Sequence, residues 1–173
     1  MIKNLLQIFV FALFLCFETT AIAGTILDAE RAVGRLRLGM QEREFQRVTG
    51  IKVGPCPGDC KKEEEFADFE CAAKPKVCEG VPEVTGVDVF FWKKKIYFMT
   101  AGVKEIPLNM VKKHFSNRFG EPSWIYNQGT PGLKLMEWRN NNTMVTATFS
   151  VGDNMVSSIS FKDLSRDTTG AGW

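Results

Sequence analysis

Residues 84–103 read VTGVDVFFWKKKIYFMTAGV. Two runs rich in β-branched and aromatic residues flank a lysine triplet, and Lys93-Lys94 falls where a two-residue hairpin turn belongs. Side chains alternate with a period of two along a strand, so the pairing assigns faces. Turning at Lys93-Lys94 sets Phe91 against Ile96 and Val89 against Phe98. With Val87 these make one apolar face, expected in the core. The other face carries Asp88, Phe90 and Trp92 against Lys95, Tyr97 and Met99, aromatic but mixed with charge. Phe90, Trp92, Tyr97 and Met99 are therefore the candidate binding residues. Two readings stay open: an exposed contact surface, or a second small core beneath a neighbouring loop.

Working outward toward the C-terminus, Pro107 sits where a helix can begin. Leu108, Val111, Phe115 and Phe119 then fall on one helical stripe, closed by Gly120 and Pro122. LKLMEWRNNNTMVTATFSVGDNMVSSISF, residues 133–161, reads as three strands with turns at Asn140–Asn142 and Gly152–Asn154. Met136 and Trp138 share a face with Val145, Ala147 and Phe149, while Leu135, Glu137, Met144, Thr146 and Thr148 form a more watery one. A three-residue turn at Gly152-Asp153-Asn154 aligns this apolar face with Ser157, Ile159 and Phe161, which a two-residue turn would waste. Residues 164–173 lack periodicity and are expected to form a flexible tail.

Toward the N-terminus, LRLGMQEREFQRVTGIK (residues 36–52) places Met40, Phe45 and Val48 along one side of a short helix that Gly50 can end. Residues 54–80 follow, with prolines, glycines, the charge run KKEEE and Cys56, Cys60, Cys71 and Cys78. No C-x-x-C-H haem tether occurs, and the Cys56–Cys60 spacing is one residue longer than the thioredoxin-like redox motif. A metal site built from all four cysteines remains an alternative, although Cys71 and Cys78 are spaced more loosely than a usual zinc knuckle. An even thiol count in an exported chain favours disulfides, which would tie down an otherwise slack loop. Sequence alone does not fix which thiol pairs with which.

Export itself is read from residues 1–23. A basic start at Lys3, an apolar run from Leu5 to Phe17 and Ala21-Ile22-Ala23 compose a secretory signal peptide. The run is too short to span a membrane. Cys16 would invite lipidation, but Leu15 before it is larger than a lipidation site accepts. The product is expected to be periplasmic or secreted, with one α+β domain over residues 24–163. The formal net charge of +2 is too balanced to point to nucleic acid. No cofactor motif or membrane span is found, and no catalytic residue is assigned. The single histidine, His114, stands among lysines and off the apolar stripe of its helix. A small hydrolase using His114 or the carboxylates of Glu63-Glu64-Glu65 is the enzymatic alternative. Asn141-Asn142-Thr143 fits a glycosylation acceptor, though asparagines also suit a tight turn.

The segments LGMQEREF (Leu38–Phe45) and FGEPSW (Phe119–Trp124) resemble the small α/β modules of SmpA/OmlA-type outer-membrane assembly lipoproteins and of secreted β-lactamase-inhibitor proteins. Leu38-Gly39-Met40 matches the turn that opens a helix in those families, and Gly120-Glu121-Pro122 the exit from one. The resemblance implies a non-enzymatic protein that binds another protein of the envelope or extracellular space through its sheet or loops. The expected fold is α+β, ordered α-loop-ββ-α-βββ. It has an antiparallel sheet of about five strands with two helices on one face, a disulfide-stapled loop and a loosely duplicated helix-plus-hairpin unit.

Overall fold

The computed structural model describes Ile26 and residues 31–58, 64–127 and 131–165. The expected signal segment, Cys16, Cys60 and Glu63 lie outside these residues, as does the expected tail beyond Ser165. Strands β1 (Ala32–Val33) and β2 (Leu36–Arg37) form a small hairpin before helix α1 (Glu42–Thr49). Then come β3 (Gly54–Pro55), β4 (Glu64–Glu70), β5 (Val84–Trp92), β6 (Lys95–Pro107) and helix α2 (Leu108–Phe119). Strands β7 (Trp124–Asn127), β8 (Leu133–Arg139), β9 (Thr143–Ser150) and β10 (Met155–Asp163) complete the order.

Both helices stop where their sequences say. Gly50 takes φ +71°, and its N–H donates to the Gln46 carbonyl, closing α1. Pro107 caps the start of α2 in extended conformation, and the Gly120 N–H donates to the Ser116 carbonyl at its end. Leu36 and Arg37 lie in β2 rather than in a helix, so α1 is shorter than its apolar stripe implied.

The main sheet has eight strands in the order β3-β4-β5-β6-β10-β9-β8-β7, antiparallel throughout. The five-strand expectation is therefore corrected. Three strands escaped it. β4 begins in the KKEEE run of the segment expected to be a slack loop, yet it pairs with β5 along its whole length. β3 adds two residues beside it, and β7 follows Pro122 as a four-residue edge. The repeated unit is likewise larger than a helix plus a hairpin. Each half is a helix followed by four strands, and the halves meet where β6 pairs with β10.

The helices stand on the same side of the sheet. Phe45 of α1 meets Phe91 edge-on at 5.1 Å, and Phe115 of α2 meets Trp138 at 5.3 Å and Phe161 at 6.4 Å. The strand residues beneath them, Val87, Val89, Phe91, Ile96, Ala101, Val145, Ala147, Ile159 and Phe161, are buried. Ile26, Val33 and Leu36 from the N-terminal segment close the same core. Burying one such aromatic ring contributes roughly 1.5–3 kcal/mol, so these stacked contacts make the sheet–helix layer the main source of stability.

The turn between β9 and β10 spans four residues, Val151 to Asn154, one more than expected. Phe149 thus pairs with Val156, and an irregularity between Val156 and Ser158 restores Ala147↔Ile159 and Val145↔Phe161. The apolar face is aligned by a bulge, not by the turn.

Candidate functional site

A second bulge decides the make-up of the other face. Phe91 pairs with Ile96, but Phe90 pairs with Phe98 and Val89 with Met99, leaving Tyr97 as the extra residue on β6. The consequence runs down the strand. Met99 turns into the core and is fully buried, so it leaves the candidate surface. Phe98, expected in the core, takes its place beside Phe90 at a ring distance of 5.3 Å. Tyr97 stays on that side, its hydroxyl donating to Glu64 Oε1 at 3.0 Å and its ring 6.4 Å from Phe98.

β4 adds the next ring. Phe66 pairs with Phe90 across the strands, ring centres 5.0 Å apart. Phe66, Phe90 and Phe98 thus form a ladder over three strands, with Trp92 and Tyr97 at its turn end. All five are partly exposed. Within the described residues the stapled segment widens this face from the side, through β4. Phe66 and Phe98 are the residues that sequence reasoning missed. The alternation Phe66, Asp68, Glu70 against Ala67, Phe69 is a strand signal within the charge run. No comparable signal marks the bulge, because Phe98 and Met99 are both apolar and either could fill the core position.

Below the ladder, Asp68 and Asp88 face each other directly across β4 and β5, and both are exposed. Desolvation, then the neighbouring Asp68 charge, raises the Asp88 pKa above the ordinary 3.8. The following row sets Gly86 against Gly102. Farther across, Thr100 and Ser160 share a hydrogen bond of 3.0 Å. In the second half this face is tighter than the watery set expected: Glu137, Thr146, Thr148 and Lys162 are all buried.

The turn that shapes this site is strained and pinned. Lys93 and Lys94 adopt φ +48° and +65°, the two-residue geometry usually given to Asn-Gly. The Lys94 ammonium reaches Glu42 at 3.0 Å and also pairs with Glu65, tying hairpin, α1 and β4 together. The bond to Glu65, then that to Glu42, raises the Lys94 pKa.

Cys71 and Cys78 are bridged, with Cα atoms 5.7 Å apart. Cys56 is also disulfide-bonded, to a partner outside the described residues. Oxidised sulfurs are not thiolate ligands, so the four-cysteine metal alternative loses its donors. Among the described residues no group of three or more metal-binding side chains gathers. The described residues of the hydrolase alternative stand apart. Glu64 and Glu65 are consecutive on a strand and point to opposite faces, while His114 packs edge-on against Phe115 on α2, in the other half of the chain.

No family model matches this chain, and no curated protein matches it in sequence. Among solved structures it is similar to a DUF4309 family protein (YjgB) of Bacillus subtilis, with 10% identity and a TM-score of 0.45 over 84% of this chain and 91% of that one. A cysteine-rich secretory protein (SAV1118) of Staphylococcus aureus is similar at 8% identity and a TM-score of 0.45. That match covers 74% of this chain and 45% of the staphylococcal one. Among the described residues no helix is long and apolar enough to cross a membrane.

Proposed function

We propose that this chain is an exported, non-catalytic binding protein that recognises another protein of the cell envelope or extracellular space through the open face of its sheet. The observation that carries this reading is the ring cluster of Phe66, Phe90, Trp92, Tyr97 and Phe98, partly exposed on the face opposite both helices. A core-facing sheet has no need of such rings on its back, whereas partly exposed aromatics are the anchors on which interfaces concentrate their energy. The disulfides accord with an oxidising compartment. The likeness at Leu38-Gly39-Met40 and Gly120-Glu121-Pro122 to secreted inhibitors and envelope-assembly lipoproteins supports the same reading. In-cell crosslinking followed by mass spectrometry tests it: wild type is expected to recover a partner whose crosslinks map to β4–β6. Trp92→Ala/Tyr97→Ala should lose that partner while keeping the wild-type melting profile. Recovery unchanged in the double variant would sink the proposal.

A further inference from the structure

The outer half of the open face gathers acids without basic partners. Several acids elsewhere are paired: Asp163 with Arg31 at 2.8 Å, Glu44 with Arg37 at 3.2 Å, Glu42 with Lys94 at 3.0 Å. Among the described residues no lysine or arginine pairs with Asp68, Glu70 or Asp88. Asp68 and Asp88 are moreover placed directly opposite one another, where like charges destabilise a sheet. The chain as a whole carries +2, so this acidity is local. Buried Lys162 shares the face beside Phe98, two strands from Asp88, and Lys95 stands two rows toward the turn, about 13 Å along the strand by the usual rise per residue. At that separation screening by salt removes most of its effect.

Geometry completes a seat. The Phe66–Phe90–Phe98 ladder borders the acidic pair on one side. Gly86 and Gly102 border it on the other, where the Thr85 hydroxyl donates to the Gly102 carbonyl at 3.1 Å. A cation there finds two carboxylates and the faces of neighbouring rings, both of which attract it. A pair of carboxylates without a third protein ligand is a poor divalent-metal site, so a side-chain cation fits it better.

We infer that the open face receives a basic segment of its partner protein, one lysine or arginine seated between Asp68 and Asp88 with its apolar neighbours on the Phe66–Phe90–Phe98 ladder. This rests on the proposed binding role of the face and specifies its partner's chemistry. The test titrates a capped Trp-Lys-Trp-Lys peptide, and its Glu-for-Lys counterpart, into the isotope-labelled mature chain by NMR. Shifts are expected at residues of β4–β6 with the basic peptide alone. Asp68→Asn/Asp88→Asn should weaken that binding about tenfold or more, as expected for loss of close charge pairs. Removing like-charge repulsion should leave this variant at least as stable as wild type, so a fold defect is not a confounder. Equal binding of the acidic peptide, shifts mapping elsewhere, or unchanged affinity of the double variant would overturn the inference. Crosslinking separates the two readings. A partner retained by Asp68→Asn/Asp88→Asn but lost by Trp92→Ala/Tyr97→Ala leaves the open face standing and removes the basic segment. A partner retained by both removes both.

Discussion

At Gly34, φ is +54° and an added Cβ would lie 2.2 Å from the Val77 carbonyl oxygen. The neighbouring Arg35 N–H donates to that same oxygen at 2.8 Å, so the β1–β2 turn is locked against the stapled segment. Gly34→Ala should therefore cost about 2 kcal/mol or more, read from urea unfolding, since neither backbone can yield without losing the bond. An unchanged midpoint would mean the contact is dispensable. Asp88 offers a second residue-scale test, with a definite sign. Its raised folded-state pKa means that the folded chain holds the proton more tightly than the unfolded one. Stability is therefore lost as pH rises from the unfolded value of 3.8 through the folded one, and the loss is complete above it. Asp88→Asn should be more stable than wild type near neutral pH, with the gap closing at about pH 3. A gap independent of pH would show that Asp88 feels neither burial nor Asp68.

Among the elements, β4 and the bulged β6 are the hardest to foresee, for different reasons. In β4 the even-numbered Glu64, Phe66, Asp68 and Glu70 face one way, and charge suits a strand near a sheet edge. Its acidic run reads as loop wherever composition outweighs alternation. The turn at Lys93-Lys94, by contrast, is legible, and so are both helix ends. The stapled segment is held as well as paired. Cys71 and Cys78 close a short loop immediately after β4, and the Cys71 N–H donates to the Thr85 carbonyl at 2.9 Å. Cys71→Ser/Cys78→Ser should cost about 2.5 kcal/mol by the loop-entropy relation, measured as a shift in unfolding midpoint. Once Cys71 and Cys78 are joined, removal of residues 1–23 as the sequence predicts would leave Cys60 as the thiol for Cys56. Peptide mapping without reductant should recover these two bridges and no crossed ones.

For the whole molecule, two helix-plus-four-strand halves share one core across the β6–β10 pairing. Phe115 of the second half reaches Phe161, and Phe161 is paired with Met99 of the first. Neither half closes its apolar face alone. Calorimetry of the full chain should accordingly give one transition with equal calorimetric and van't Hoff enthalpies. Two resolved transitions would mean the halves are independent folding units. The same arrangement makes the binding proposal economical, because both helices, Ile26 and the β1–β2 hairpin crowd one side of the sheet and, among the described residues, leave the other open to a partner.

Residue order alone determined the local facts: where glycine and proline stop a helix, where a hairpin turns, and which residue types alternate between faces. Such features are set by neighbours a few positions away. Sheet width, the loss of Met99 to the core and the gathering of Phe66 with Phe90 and Phe98 were decided only by tertiary structure. Pairing partners lie far apart along the chain, and one inserted residue reverses every side chain beyond it.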